Sequence, residues 1–176
     1  MARPADAPAG AGPLPEMRVG LGTDVHAFAP GRPLWLGCVQ GPHTLGLAGH
    51  SDADVLVHAV VDAILGALGL RDIGFHYPPG DPQWAGCPGS RFLGDMRRLL
   101  TEGGWALVNL DCVVMAERPK LSPHIPEMVS RMADCLGIAP GRVSVKATTA
   151  EGLGFTGREE GILAQAVALL TRSNRS

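Results

Sequence analysis

The amino-acid sequence predicts a single-domain α/β fold, of the α+β type, in which helices cover one face of a mixed β-sheet. Strand-like and helix-like segments alternate along the chain, and alternating elements of this kind build layered structures. The 176 residues are 45% hydrophobic, which suits one domain with a sizeable core. The sequence shows neither an internal repeat nor a heptad pattern. We therefore predict one domain over residues 17–176.

The N-terminal half is predicted to contain a tail, two strands and a helix. Residues 1–16 are mostly Ala, Pro and Gly and have too few large apolar side chains to offset the entropy cost of ordering, so we expect a disordered tail. Strand patterns follow at about 18–26 and 33–40. In "HSDADVLVHAVVDAILGALG" apolar residues recur at helical spacing until Gly69. Ser51 followed by Asp54 resembles a capping box, so we expect this helix to begin at Ser51.

The C-terminal half is predicted to contain a loop, two helices and two or three strands. Residues 71–90 are rich in Gly and Pro and predict a long loop, ordered or mobile, of a kind that is usually functional or disordered in compact domains. Helices are expected at about 89–102 and 122–136, and strands at about 105–117 and 142–149. The closing segment "GILAQAVALL", residues 161–170, is too short for periodicity to distinguish a helix from a buried strand.

The charge balance and the cysteine content exclude several classes of partner. A formal net charge of −2 and an isoelectric point near 6.3 leave no basic surplus for nucleic acid or for an anionic membrane. No apolar run approaches the length of a membrane span or resembles a signal peptide, so we expect a cytoplasmic protein. The four cysteines form no C-x-x-C pair, which argues against a structural zinc knot and favours buried free thiols.

The segment "LGTDVHAF", residues 21–28, places an acid and a histidine two residues apart on a predicted strand. Side chains alternate along a strand, so Asp24 and His26 should share one face while Val25 turns toward a core. His58 lies on the predicted helix that could cover this strand. Two histidines and one carboxylate suit a zinc ion with an open fourth position. The alternative is a hydrogen-bonded core histidine and an aspartate that caps a turn, and spacing alone does not decide between them.

The segment "GHSDAD" suggests a second kind of chemistry, because a helix N-terminus presents unpaired backbone N–H groups and the positive end of a dipole. His50 and Ser51 would lie at that end and could hold a phosphate near the metal. Ser51 could equally act only as the helix cap, and we favour the capping role.

The segment "GLGFTG", which contains Gly152, Gly154 and Gly157, matches the G-x-G-x-x-G pattern of dinucleotide-binding folds. That pattern requires an acid about 20 residues further on, and no Asp or Glu follows Glu160. We therefore reject a dinucleotide site and expect a tight turn near an anion or a metal-bound phosphate. The polar groups around this turn are Lys146, Thr148, Thr149, Glu151 and Arg158.

Four separated motifs together resemble the 2-C-methyl-D-erythritol 2,4-cyclodiphosphate synthase family of the non-mevalonate isoprenoid pathway. They are "GTDVHAF", "GHSDADVLVHAVVDAILGALGLRDIG", "ERPKLSPHIP" and "VSVKATTAEGLGFTGREEGI". The resemblance covers nearly everything after Met17. It implies a phosphorus–oxygen lyase that converts 4-diphosphocytidyl-2-C-methyl-D-erythritol 2-phosphate to the cyclodiphosphate and CMP. It also implies that residues 17–176 are a catalytic domain that forms a homotrimer with active sites at subunit interfaces.

The resemblance also implies roles for individual residues. Zinc would be held by Asp24, His26 and His58, and magnesium or manganese by Glu151. His50 and Thr149 would align and polarise the phosphates as the catalytic residues. Asp72 and Gly74 match contacts to the methylerythritol unit, and residues 116–121 with Ala147 and Thr148 match the wall that recognises cytidine. The full set of implied substrate contacts is Asp24, Val25, His26, His50, Ser51, Asp72, Ile73, Gly74, Ala116, Pro119, Lys120, Leu121, Ala147, Thr148, Thr149, Glu151, Phe155 and Arg158.

Two positions depart from the pattern of the family. Ala150 stands where many members have a third threonine, and Pro79 where some have an aspartate. Two other functions remain open from the residues alone. A zinc phosphohydrolase could use the same Asp and His residues to activate water, and a trimeric binding module would need no metal.

Overall fold

A computed structural model describes residues 15–172 of the chain. The strands are β1 (Glu16–Ala29), β2 (Leu34–Leu36), β3 (Val39–Gly41), β4 (Gly46–Leu47), β5 (Ala106–Met115), β6 (Val143–Thr148) and β7 (Gly161–Arg172). The helices are α1 (Val55–Leu68), α2 (Ile73–His76), α3 (Gly89–Glu102), α4 (Ile125–Leu136) and α5 (Gly154–Gly157). The predicted tail lies outside the described residues except at its end, where Glu16 already belongs to β1.

One mixed sheet organises the chain, with strand order β4-β1-β7-β5-β6. Only β5 and β6 are parallel, and the other neighbours in this sheet are antiparallel. The predicted strand 33–40 is instead a separate hairpin of β2 and β3, which turns at Gly37 and Cys38, both with positive φ. The mixed sheet and the single domain confirm the predicted fold class.

The ambiguous segment 161–170 forms the central strand β7, which pairs with both β1 and β5. Its buried positions include Ala164, Ala166 and Ala168, which alternate with residues on the other face of the sheet. Alanine favours helices in isolation, but the two flanking strands supply hydrogen bonds along both edges of the segment. Tertiary pairing therefore decides its conformation.

Helix α1 lies directly against β1 because two glycines remove the side chains between them. A Cβ atom on Gly20 would lie 1.9 Å from the carbonyl oxygen of Ala63, and one on Gly22 would lie 2.0 Å from that of Ala59. No side chain fits at such distances. The helix therefore approaches the strand that carries Asp24 and His26, and this contact brings His58 to the same place.

The opposite face of β1 is apolar and exposed in the single chain. Met17, Val19, Leu21 and Val25 are each 46–67% exposed. The expectation that Val25 turns toward the core is therefore wrong. Gly20 and Gly22 pack against α1, so the residues that alternate with them along β1, including Val25, must point to the opposite face of the sheet.

The boundaries of α1 also differ from the prediction. The helix begins at Val55 and its N-cap is Asp54, whose side chain accepts a hydrogen bond from the Val57 N–H at 3.1 Å. Ser51 is not the cap, because its hydroxyl is engaged elsewhere. Gly69 ends the helix in the left-handed conformation, as predicted.

The long segment 71–90 contains more regular structure than a loop. It includes α2 and a short 3-10 turn at Pro82–Trp84.

None of the helices in residues 15–172 has the length and the apolar composition that a membrane span requires. The four cysteines are free, as expected, but only Cys112 is fully buried and the other three are half-buried.

Candidate metal centre and active site

Three side chains from two elements converge at the C-terminal part of β1. The Oδ2 atom of Asp24 lies 2.9 Å from Nε2 of His26 and 3.0 Å from Nδ1 of His58, and the two imidazole nitrogens are 3.1 Å apart. Ligands at 2.0–2.2 Å from a tetrahedral zinc ion are about 3.3–3.6 Å apart. The three atoms therefore need only small shifts to surround one metal ion, and this convergence favours the metal-site interpretation over that of a core histidine.

Each of the three candidate ligands is oriented by a second hydrogen bond. The Nδ1–H of His26 donates to the carbonyl oxygen of Ala48, which leaves Nε2 free to face the centre. Nε2 of His58 lies 3.1 Å from the hydroxyl of Ser51, which leaves Nδ1 free. The other oxygen of Asp24 accepts the Val25 N–H at 2.9 Å. Such outer partners fix the tautomer and the ring orientation of metal-binding histidines.

The charges at the centre shift the pKa values of two groups in opposite directions. Burial would raise the pKa of Asp24, but hydrogen bonds from His26 and His58 and their charges lower it well below its usual range. Burial would lower the pKa of His26, but the hydrogen bond and charge of Asp24 and the Ala48 carbonyl raise it. The carboxylate is thus ionised over the physiological range, as a metal ligand must be.

A cavity of about 220 Å³ opens beside the three candidate ligands. It is also lined by His50, Ser51, Ile73, Gly74, Tyr77, Pro79, Trp84 and Phe92. Sequence reasoning missed the aromatic residues among these. Tyr77 packs edge-on against both Trp84 and Phe92, with ring centroids 4.8 and 4.7 Å apart. The signal that could have found them is the presence of Tyr77 and Trp84 in a segment otherwise rich in Gly and Pro, since large aromatic side chains in a loop need a packing site.

The segment that carries His50 and Ser51 is not a helix N-terminus, so the expectation that the backbone N–H groups and dipole of α1 would hold a phosphate there is wrong. The fully buried Asp54 carboxylate occupies the N-terminal end of α1 and also accepts the Gly37 and Cys38 N–H groups at 2.9 and 2.7 Å. A phosphate cannot replace it. His50 instead lines the cavity, and its Nε2–H donates to the Asp81 carbonyl at 2.8 Å.

Helix α2 is held beside the cavity by a hydrogen bond to the half-buried carboxylate of Asp62 on α1. Asp62 accepts the Ile73 N–H at 2.7 Å, and Asp72 caps the same helix by accepting the Phe75 N–H at 2.9 Å. Burial is the main cause that raises the pKa of Asp62. Sequence reasoning missed Asp62, although its position one turn after His58 placed it on the same helix face.

A second cavity of about 390 Å³ gathers the residues predicted to recognise cytidine. It is lined by residues 116–122 together with Ala147, Thr148 and Thr149. These residues lie at the ends of the parallel strands β5 and β6 and in the segments that follow them. Strand ends of this kind commonly form ligand sites. The structure thus brings together all residues that were assigned to this wall.

The turn after β6 is organised by two acidic residues. The Thr149 hydroxyl donates to Glu151 at 2.8 Å, and Glu117 accepts the Ala150 and Gly152 N–H groups at 2.9 and 3.3 Å. Glu117 was predicted only as part of the cytidine wall, and its hydrogen bonds to this turn were not. The glycines of "GLGFTG" form the expected tight turn, and Gly154–Gly157 also form the short helix α5, which was not predicted.

Not every predicted site residue borders a cavity of the single chain. Val25 lies on the exposed face of β1, Asp72 is outside the metal cavity, and Glu151 borders neither cavity. Phe155 and Arg158 also lie outside both, and Arg158 forms an exposed ion pair with Glu160 at 2.8 Å. Within one chain the predicted site is therefore divided between two cavities.

A helix-covered mixed sheet with a candidate metal centre in an open cavity is typical of an α/β enzyme that binds a small molecule. The model of the YgbB family matches residues 17–171, and the chain belongs to this family. The match covers nearly all of the described residues.

Several relatives are named 2-C-methyl-D-erythritol 2,4-cyclodiphosphate synthase. The one from Synechococcus elongatus is 54% identical over 159 residues, which are 90% of this chain and 99% of the relative. The one from Symbiobacterium thermophilum is 56% identical over 154 residues, 88% of this chain and 98% of the relative. The resemblance in the four motifs is thus confirmed.

Solved structures share the fold. The CDP complex of IspF from Plasmodium falciparum superposes with a TM-score of 0.79 at 32% identity, over 90% of this chain and 97% of that one. The bifunctional IspDF of Campylobacter jejuni gives a TM-score of 0.87 at 43% identity over 91% of this chain. This chain spans only 43% of the Campylobacter protein, so it corresponds to one part of it.

Proposed function

We propose that the chain converts 4-diphosphocytidyl-2-C-methyl-D-erythritol 2-phosphate to 2-C-methyl-D-erythritol 2,4-cyclodiphosphate and CMP. This reaction belongs to the non-mevalonate route to isoprenoid precursors. The observation that carries the proposal is the convergence of Asp24, His26 and His58 within 3.1 Å of one another beside an open cavity. The names of relatives that match almost the full chain support the same reaction.

The main catalytic task of the protein in this reaction is to position the substrate. The 2-phosphate of the substrate is its own nucleophile and must face the β-phosphorus in line with the bond that breaks. Holding an intramolecular attack in that geometry can lower the barrier by about 7–11 kcal/mol. The described residues need supply no nucleophile of their own, only a shaped site that excludes water.

Asp24, His26 and His58 fit a zinc ion, because their free atoms converge and the other nitrogen of each imidazole is already hydrogen-bonded. When bound, zinc would supply a Lewis acid that neutralises a phosphate oxygen in its open position. His50 lies in the same cavity and would orient that phosphate through its imidazole. The hydrogen bond from its Nε2 to Asp81 would then be exchanged for one to the substrate.

The remaining contacts divide between the two cavities. Ile73 and Gly74 would hold the methylerythritol unit beside the metal centre, with Asp72 at the start of α2. The wall at residues 116–121 would hold cytidine, and Thr149 would polarise the diphosphate next to it. Glu151, whose carboxylate the Thr149 hydroxyl contacts, would hold a magnesium or manganese ion. A CDP-bound relative supports a cytidine nucleotide as the ligand.

A homotrimer would join the two halves of the site. The metal centre and the cytidine wall border separate cavities of one chain, so a neighbour's wall could complete the site. The exposed apolar face of β1, formed by Met17, Val19, Leu21 and Val25, offers a surface that a second copy would bury. A cytoplasmic location stays a prediction from the sequence.

Phosphorus NMR of the reaction products tests the proposed function. The purified protein is incubated with the cytidyl substrate, zinc and magnesium. We expect CMP and a cyclic diphosphate, whose two phosphorus nuclei are coupled to each other. A linear bisphosphate with CMP would instead identify a hydrolase, and unchanged substrate with bound zinc would favour a binding protein.

Light scattering tests the trimer separately. We expect three times the 18.3 kDa mass of the chain at working concentration. A monomer mass that accompanies full turnover would contradict active sites shared between subunits.

A further inference from the structure

We propose that Arg32 is a positioning residue that fixes the segment from Ala48 to Ser51, and through it the metal centre and His50. The inference rests on the proposed function only in taking Asp24, His26 and His58 as metal ligands. Arg32 lies in the turn between β1 and β2, outside every motif that pointed to function.

The segment 48–51 supports both histidine ligands at once. Its first residue, Ala48, accepts the hydrogen bond from His26, and its last residue, Ser51, contacts His58 through its hydroxyl. The segment has no helix or sheet hydrogen bonds over residues 49–51 to hold it, and Gly49 and His50 are exposed. One backbone hydrogen bond, from the Gly86 N–H to the His50 carbonyl at 2.9 Å, reaches this segment, and side chains around it must supply the remaining restraints.

Arg32 supplies that restraint with two hydrogen bonds. One terminal nitrogen of its guanidinium donates to the Gly49 carbonyl and the other to the Ser51 carbonyl. These two residues flank His50, so the planar guanidinium spans the residue that would orient the phosphate. Arginine suits this task because its donors have a fixed geometry, whereas lysine presents a single rotating ammonium group.

The backbone of Arg32 is itself held in place. A Cβ atom on Gly46 would lie 2.6 Å from the Arg32 carbonyl oxygen and 2.4 Å from that of Pro33, so β4 packs directly on this turn. Strand β4 pairs with the end of β1, two residues beyond His26. Arg32 and its two hydrogen bonds, which we call the Arg32 clamp, are thus anchored to the same strand that carries Asp24 and His26.

The test compares Arg32→Ala with Arg142→Ala. Arg142 is a matched control because it also donates to a backbone carbonyl, that of Leu107 at 3.4 Å, but it borders neither cavity. Zinc affinity of the metal-stripped proteins is measured by competition with a chromophoric chelator, and steady-state kinetics and melting temperature are measured in parallel. Loss of an outer-shell partner typically weakens metal binding by about 10–100-fold.

We expect Arg32→Ala to bind zinc about tenfold more weakly and to lose kcat, while Arg142→Ala keeps wild-type affinity and kcat. The zinc affinity and kcat of Arg32→Lys should lie between those of the wild type and Arg32→Ala, because one ammonium group replaces two guanidinium donors of fixed geometry. Added guanidinium at millimolar concentration should restore part of the Arg32→Ala activity, and an equal concentration of sodium chloride should not.

A purely structural role would lower the melting temperature of both Ala variants and leave zinc affinity unchanged, and this result would overturn the inference. If Arg32→Ala does not fold, the same comparison is made with Arg32→Lys, for which unchanged zinc affinity and kcat would also overturn it. A wild-type protein that binds no zinc would refute the Arg32 clamp together with the metal centre. Wild-type zinc binding without cyclodiphosphate formation would refute the proposed reaction alone, and the affinity comparison would still decide the role of Arg32.

Discussion

The Nε2 atom of His58 lies 3.1 Å from the hydroxyl oxygen of Ser51, seven residues earlier in the chain. The same hydroxyl accepts the Ala53 N–H at 3.1 Å, so it has one lone pair left for an imidazole N–H. This arrangement fixes the ring of His58 with Nδ1 toward Asp24. Ser51 thus orients a candidate metal ligand, where the sequence pattern suggested a helix cap.

Ser51→Ala should therefore weaken zinc binding without unfolding the protein. The variant keeps all three ligands but releases the His58 ring, and we expect an affinity loss of roughly 10–100-fold. Competition with a chelator measures it. Ser90→Ala, at an exposed position in the first turn of α3, serves as the control. Equal zinc affinity in both variants would show that the hydroxyl does not orient His58.

Removal of a ligand should have a larger effect than removal of its support. His26→Ala and His58→Ala each leave two protein ligands, which cannot fix an open tetrahedral site, so bound zinc and activity should disappear together. Elemental analysis after dialysis measures zinc, and circular dichroism checks folding. His43→Ala is the control, since His43 stacks on Phe28 and is not a member of the ligand cluster. Full zinc in His58→Ala would contradict the metal assignment.

His50→Ala should separate metal binding from turnover. His50 lines the cavity, but the hydrogen bond of its imidazole goes to the Asp81 carbonyl and not to a candidate ligand, so zinc should stay near one ion per chain. Loss of its hydrogen bond to the developing charge should lower kcat by roughly 10²-fold. Single-turnover kinetics on the zinc-loaded variant measures the effect. A variant with wild-type kcat would exclude His50 from phosphate alignment.

Gly22→Ala tests the close contact between β1 and α1. The added methyl would lie 2.0 Å from the Ala59 carbonyl oxygen, so α1 must move, at a cost on the order of 1–3 kcal/mol in the free energy of unfolding. Because α1 carries His58, zinc affinity should fall as well. Gly94→Ala is the control, and it should change the free energy of unfolding in the opposite direction. Its methyl meets open space within α3 and should stabilise the helix by about 0.5–1 kcal/mol. Denaturant unfolding compares the two.

Tyr77 gives a pH-dependent signal, because it is the only tyrosine in the chain. Burial, followed by the charge of Asp95 and the hydrogen bond to it, raises the pKa of Tyr77 to about 12. Ultraviolet absorbance of tyrosinate should therefore appear near pH 12 in the folded protein and near pH 10 in guanidinium. Ionisation favours the unfolded chain, so this contribution to stability is complete below pH 10 and is lost as the pH rises toward 12.

Tyr77→Phe provides the control for this titration. It should abolish the absorbance change and the stability loss between pH 10 and 12 that belongs to this residue. A folded wild-type protein whose tyrosine titrates near pH 10 would show that the aromatic packing of Tyr77 against Trp84 and Phe92 is loose in solution.

The sequence by itself determined the elements with strong local patterns and the candidate ligands. The 3.6-residue period of α1 and its stop at Gly69, the alternation in β5 and the Asp24 and His26 pair were all readable without a structure, because each depends on residues close in the chain. The four motifs further predicted the family, since their order and spacing carry information that no single motif has.

Only the tertiary structure decided what depends on contacts between distant residues. The apolar segment 161–170 became a strand because β1 and β5 flank it, and Val25 turned outward because Gly20 and Gly22 face α1. Asp54, and not Ser51, caps α1, because its fully buried carboxylate also accepts the N–H groups of Gly37 and Cys38 in the β2–β3 hairpin. The hydroxyl of Ser51 instead contacts His58. Local propensities are worth tenths of a kcal/mol per residue, whereas burial and pairing of distant groups are worth several, so the distant contacts prevail.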